Sequence, residues 1–185
     1  GIADAAVVAK KQPDGQSELL AYYVPAAKPA TESGNGLELW PSFAEQSVYD
    51  ELLYGAMTHD ERRNQSYLRA MQKHVVGKVV VDIGTGPEAI LARLAIQAGA
   101  RKVYAIEVEE DAYRKACARV DSLGLSERIF VLQGDATQIT LPETADVCVS
   151  AIVGAIGGTE GAAYLLNDAH RLLGTDGIMI PQRSV

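Results

Sequence analysis

Three acids stand at the same kind of place in this chain: Asp82 in VVDIG, Glu107 in YAIEV and Asp135 in LQGDA each close a short apolar run. Just after the first comes a glycine turn, Gly84 and Gly86 followed by Ala89, with the spacing G-x-G-x-x-A. Such a turn lets backbone pass close beneath a nucleotide, and an acid at the place of Glu107 is well spaced to take ribose hydroxyls. By spacing alone a dinucleotide site survives. The sign of the charge argues against it. A carboxylate at Asp82, two residues before Gly84, is expected to face the space a diphosphate would fill, and two anions in a partly desolvated cleft repel strongly.

A ligand that carries positive charge reverses that argument. S-adenosylmethionine has a sulfonium and an ammonium, no phosphate, a ribose diol that wants acceptors, and an adenine amino group that donates. Acids at the ends of adjacent strands suit all of these. In a parallel α/β sheet the carboxyl ends of the strands open together into the ligand crevice, so Asp82, Glu107 and Asp135 are expected around one hollow.

The elements that must position them follow from periodicity. KVVVDIG is a near-continuous apolar run of strand length, and Ile90, Leu91, Leu94 and Ala95 after it have helical spacing. The alternation repeats with KVYAIEV and a helix from Ala112 to Val120, then RIFVLQG, ADVCVSAIV with a helix from Ala162 to Leu173, and GIMI. Strands buried on both faces, alternating with helices, predict an α/β fold: a Rossmann-like, open, mainly parallel sheet with helices on both faces. Ahead of it, Val48, Leu52, Leu53 and Met57, then Tyr67 and Met71, predict two helices broken near Thr58-His59-Asp60. DAAVVAK and ELLAYYV, around Pro13-Asp14-Gly15, read as a β-hairpin-like segment. The domain reading is a strand segment over 1–25, a Pro, Ser and Gly-rich linker over 26–46, and the α/β core over 47–185.

The bulk numbers narrow the function. Of 185 residues, 48% are hydrophobic and 22% charged, an ordinary globular balance. Seventeen basic against twenty-four acidic residues, net charge -7, disfavour a phosphate-neutralising surface, so no nucleic-acid partner is expected. No apolar run reaches the roughly 20 residues that span a bilayer, so no membrane association is expected. Cys117 and Cys148 read as reduced core thiols, which fits a cytoplasmic location. Scattered His and Cys give no metal site. His74 and His170 read as surface or packing residues, and the chain, which opens on Gly1 and stops after an apolar strand, reads as a piece of a longer protein.

From Val48 onward the chain resembles the class I S-adenosylmethionine methyltransferases, and within them the protein arginine methyltransferase branch. The resemblance rests on Met57, Asp60, Arg63 and Tyr67 in the family spacing M-x-x-D-x-x-R-x-x-x-Y, on VVVDIGTG, and on AGARKVYAIE. It implies that Gly84 and Gly86 pass beneath the cofactor, Glu107 takes the ribose hydroxyls and Arg63 pairs with the methionyl carboxylate. An Arg suits that last task because its planar fork binds a carboxylate bidentately. Met57, Asp82, Val108, Asp135, Ala136 and Ser150 complete the expected cofactor contacts, with S-adenosylhomocysteine as the product.

One departure bears on the acceptor. The family loop after the fourth core strand begins Ser-Glu, the first of two glutamates that grip a guanidinium; here Ser150 is followed by Ala151. Arginine is then a poor acceptor, since a buried guanidinium loses a charge-assisted partner. The first strands resemble part of the C-terminal subdomain of nonribosomal peptide synthetase adenylation domains, some of which hold an inserted methyltransferase. That setting implies a carrier-protein-bound aminoacyl or acyl substrate, methylated at oxygen, with synthetase domains on either side. An acceptor hydroxyl needs a base, for which His59 and Glu160 are the candidates. Three alternatives stay open: an arginine methyltransferase-like enzyme, a methyltransferase-like scaffold without turnover, and a dinucleotide-dependent oxidoreductase.

Overall fold

A computed structural model describes residues 2–11, 17–25, 51–152 and 162–182. The chain divides into two compact units, Gly1–Glu38 and Leu39–Val185. In the first, β1 (Ile2–Lys11) and β2 (Ser17–Pro25) pair antiparallel with Val8 opposite Leu20, which is the hairpin expected around Pro13-Asp14-Gly15. The expected linker over 26–46 lies outside the described residues.

The second unit carries α1 (Glu51–Thr58) and α2 (Glu61–His74), separated at the expected break. Asp60 makes the new start: its carboxylate accepts from the Arg63 backbone N–H at 2.9 Å, satisfying one of the donors that every helix N-terminus leaves orphaned. Then come β3 (Val79–Ile83), α3 (Ile90–Gln97), β4 (Lys102–Glu107), α4 (Glu110–Ser122), β5 (Ile129–Gln133), β6 (Ala145–Ser150), α5 (Ala162–Asp168), a 3₁₀ turn (Ala169–Leu172) and β7 (Leu173–Ile180).

The five core strands are all parallel, in the order β5-β4-β3-β6-β7. The chain winds outward from β3 to β5, then returns to the other side of β3 to lay down β6 and β7. The order therefore reverses between β3 and β6, and at such a switch point the carboxyl ends of the strands leave a crevice. Every residue of β3 is buried, as the unbroken VVVDI run requires of a central parallel strand.

One face of the sheet packs on α2, α3 and α4 through Leu68, Met71, Leu91, Ala95, Ala116 and Val120. The opposite face, with Val81, Tyr104, Ile106 and Cys148, is covered by Ala136, Ala169 and Leu172. Burial holds the Cys148 thiol up at about 12, with the Asp82 charge adding to it, so it behaves as a small apolar side chain.

The last helix differs from its expected span. Instead of running to Leu173, α5 ends at Asp168, tightens into the 3₁₀ turn, and gives way to a strand that already pairs Leu173 with Ala145. Thr175-Asp176-Gly177 then bulges before Ile178 meets Val147, so the strand begins four residues ahead of the GIMI run.

Candidate functional site

A cavity of about 340 Å³ opens at the carboxyl ends of β3, β4 and β5, beside the switch point and under α1. Its size falls within the ~300–1,000 Å³ common to small-molecule sites. Its floor is the turn after β3. Gly84 and Gly86 have φ of +71° and +66°, a left-handed backbone that favours glycine. Space is short there as well: a Cβ at Gly84 would lie 3.0 Å from Ile152 Cδ1, and one at Gly86 3.2 Å from Tyr54 Cε1. Gly84→Ala is expected to destabilise the fold by about 1–2 kcal/mol from the backbone conformation alone. Urea unfolding measures this, and an unchanged midpoint would show that the turn tolerates an ordinary side chain.

The turn is tied to β4 by backbone and carboxylate together. The N–H groups of Gly84 and Thr85 donate to the Ile106 carbonyl at 3.0 and 3.1 Å. Glu107, only 5% exposed, accepts from the Gly86 N–H at 2.8 Å and the Glu109 N–H at 3.0 Å. A carboxylate offers about four lone-pair sites, so its two oxygens hold the turn and keep capacity toward the cavity they line. Asp135 sits on the rim, its Oδ1 accepting from the Thr137 backbone and hydroxyl at 2.8 and 2.9 Å.

The expected contacts Met57, Arg63, Gly84, Gly86, Glu107, Val108, Asp135 and Ala136 all line this one cavity. Arg63 reaches it from α2, its guanidinium 5.3 Å from the Tyr67 ring centre and its Nη1 donating to Asn64 Oδ1. The Tyr67 hydroxyl donates to the Ser150 carbonyl at 2.8 Å. The spacing of Met57, Asp60, Arg63 and Tyr67 thus has a physical reading: two residues on the wall, a helix cap between them, and a bolt to β6.

Three expected site residues are placed differently. Asp82 does not line the cavity. It is fully buried beneath the turn, its Oδ2 accepting from the Thr85 hydroxyl at 2.6 Å and the Ala92 N–H at 3.1 Å, while its Oδ1 has no hydrogen-bond partner. Burial pushes its carboxyl up to about 7 against those two hydrogen bonds, with Glu107 adding to the rise and Arg63 opposing it. Its charge therefore does not face a ligand, because the strand pleat turns it under α3. Ser150 is also buried off the wall, its hydroxyl donating to the Ile83 carbonyl at 3.2 Å and accepting from Ile152 N–H. His59 is exposed at the turn between α1 and α2, its Nδ1 2.7 Å from the Gly55 carbonyl, and is not among the lining residues; that contact keeps the ring on the outer side. Glu160 lies outside the described residues.

The negative wall has other owners. Glu88, Glu107, Glu109 and Asp135 line the cavity against Arg63 among the described residues, so the surplus of acids stands without Asp82. Sequence reasoning also missed Tyr54, Ile152, Tyr164 and Leu165 on the wall. Tyr54 had a signal, since it lies three residues before Met57 on the same helical face. Tyr164 and Leu165 had none, because their position depends on where α5 is set down.

Comparison with known proteins agrees with this geometry. A family model described as a methyltransferase domain matches residues 65–183. The histone-arginine methyltransferase CARMER of Anopheles gambiae is 36% identical over 130 residues, 69% of this chain and 21% of that protein. The probable protein arginine N-methyltransferase 6 of Arabidopsis thaliana is 34% identical over 116 residues, 61% of this chain and 25% of that protein. Among solved structures, protein arginine methyltransferase 10 of Arabidopsis thaliana, in an open conformation, superposes with a TM-score of 0.66 at 33% identity, covering 73% of this chain and 39% of that one. A Trypanosoma brucei arginine methyltransferase enzyme-prozyme complex with S-adenosylhomocysteine superposes with a TM-score of 0.63 at 28% identity, covering 75% and 43%. This chain thus spans about a quarter or less of the length of these two curated relatives. With its match extending from α2 to β7 over a parallel sheet, a glycine turn and an acid at the end of β4, the chain belongs to the methyltransferase domain family.

Proposed function

We propose that this chain is the S-adenosylmethionine-binding part of a methyltransferase built like the protein arginine methyltransferases. The observation that carries the reading is Glu107: a nearly buried carboxylate on the cavity wall, locked to the glycine turn, in a hollow whose described acids outnumber its bases. Glycines that a Cβ would crowd, an acid positioned for a diol, and Arg63 opposite for a carboxylate fit the cofactor part by part.

Bound there, the cofactor supplies an electrophilic methyl group on a sulfonium. The chain's own part is to hold that group and exclude water, since in-line displacement gains most from alignment of nucleophile and carbon in a dry site. Glu107 and the turn fix the nucleoside, and Arg63 the amino-acid end. Met57 and Tyr54 roof the hollow from α1.

The relatives support a guanidinium acceptor. A second reading rests on Ala151, which lines the cavity beside Ile152 with no carboxylate to face a cation. An uncharged side chain at that position favours an uncharged acceptor, and with the hairpin's resemblance to an adenylation subdomain it supports O-methylation of a carrier-bound aminoacyl or acyl group between synthetase domains. The test uses the full-length parent protein with a labelled donor, an arginine-containing peptide and a carrier-loaded amino acid. Transfer to the peptide, raised tenfold or more in Ala151→Glu, supports the arginine reading; transfer to the carrier, abolished in Ala151→Glu, supports the second. A calorimetric titration in which S-adenosylhomocysteine gives no binding would defeat both.

A further inference from the structure

The cavity acids are occupied by the reading above, but one buried ionisable group is not. Asp82 is 0% exposed, both of its donors converge on Oδ2, and Oδ1 is left bare. A buried carboxylate with an unpartnered oxygen is costly, whereas a carboxylic acid with its proton on that oxygen carries no charge to desolvate. The arrangement is that of an acid poised between two states.

The groups facing it from each packed element can be named. Across β4 stands Glu107, an anion, and from α2 come Arg63, a cation, and Tyr67. From α3 comes the Ala92 N–H, and through the sheet, on its opposite face, lies Cys148. Burial raises the Tyr67 hydroxyl and the Cys148 thiol, so both stay neutral near pH 7. Beyond burial and its two hydrogen bonds, the charges that act on Asp82 are one anion and one cation, both of them on the cavity wall where ligand charge arrives. Thr85 lines the cavity, and its hydroxyl donates to Asp82 Oδ2, which links the buried carboxyl to the wall.

Resting on the reading of this cavity as an S-adenosylmethionine site, we propose that Asp82 is the residue by which the site distinguishes the cationic methyl donor from its neutral spent product, ionised beneath the first and protonated beneath the second. The donor carries a sulfonium and the product a thioether, and they share the ammonium and the carboxylate. Apart from the methyl group, one positive charge is the difference, and through a low-dielectric interior it acts on a buried group that can change its own charge in response. On donor binding Asp82 gives a proton to solvent, and once the sulfonium has become a thioether it takes one back. The product then leaves a site that no longer carries the extra negative charge.

Titration calorimetry on the whole chain tests this without an acceptor. Between pH 6 and pH 8 the affinity for S-adenosylmethionine is expected to rise about tenfold, as it does when ligand binding lowers a neighbouring carboxyl by about two pH units. The affinity for S-adenosylhomocysteine is expected to change much less. At pH 7, titrations in two buffers of different ionisation heat are expected to show about half a proton more released with the donor than with the product. In Asp82→Asn the two ligands are expected to follow the same pH profile. Equal proton release by both ligands in the unaltered chain would overturn the proposal, whether or not the variant folds. So would a donor profile unchanged in Asp82→Asn. If neither ligand gives heat at any pH, the cofactor reading fails together with the proposal, a result distinct from binding without proton linkage.

Discussion

Replacing Glu107 with Ala is expected to weaken S-adenosylhomocysteine binding by about 1.5–3 kcal/mol, the usual loss of a hydrogen bond to a charged group, or roughly 10–150-fold in affinity. Two effects run in the same direction. The ribose hydroxyls lose their acceptor, and the Gly86 and Glu109 N–H groups lose the oxygens that now lie 2.8 and 3.0 Å away. The hydrogen bonds left between the turn that forms the cavity floor and β4, among the described residues, are then those to the Ile106 carbonyl. Glu107→Gln separates the two effects in part, since its amide oxygen still accepts from Gly86 while its NH2 turns a donor toward the Glu109 N–H and the negative charge is gone. Its affinity is expected to fall between wild type and the Ala variant. Calorimetry gives the affinities and a urea melt the accompanying stability. Wild-type affinity in Glu107→Ala would mean that the nucleoside lies elsewhere.

The second large effect is on stability and belongs to Asp82. Its carboxyl stands at about 7 in the folded chain against 3.8 for the ordinary group, a rise of about 3. The folded state therefore holds this proton more tightly than the unfolded state does. Its contribution is fully present below about pH 4, falls as pH climbs, and is lost by the time pH has passed through about 7. Three units correspond to roughly 4 kcal/mol. Asp82→Asn is neutral at every pH, so its stability relative to wild type is expected to shift in the variant's favour by roughly 4 kcal/mol between pH 4 and pH 8. Any cost of seating the Asn amide among the same partners is common to all pH values and drops out of that comparison. Urea denaturation at each pH measures it. Parallel curves for the two proteins would mean that Asp82 is ionised throughout.

The same residue shows why a correct inference about charge had the wrong owner. In the sequence Asp82, Glu107 and Asp135 are equivalent, each the acid at the end of an apolar run. In the fold Glu107 ends flush with the glycine turn, Asp135 stands on the rim in a turn with Thr137, and Asp82 is covered by α3. The repulsion of a diphosphate survives because Glu88 and Glu109 also line the hollow, and neither had been singled out. His59 failed for a related reason: adjacency to Asp60 in sequence says nothing of which side of the α1–α2 turn its ring takes, and the Gly55 carbonyl holds it outside.

What the sequence determined by itself was local and periodic. Apolar runs of strand length, helical spacings between them, a glycine turn and an acid at the right interval require only neighbouring residues to specify them, and with the family resemblance they sufficed for the parallel α/β fold, the cofactor class and eight of the ten expected cofactor residues. What only the tertiary structure decided was which side chains share a space. Strand pleat, helix placement and the reversal of strand order between β3 and β6 bring Tyr54, Ile152 and Tyr164 to the cavity and take Asp82 and Ser150 out of it. The physical reason is that burial and hydrogen bonding are properties of packed neighbours far apart in the chain, so an acid's charge is settled by what covers it and not by the residues written beside it.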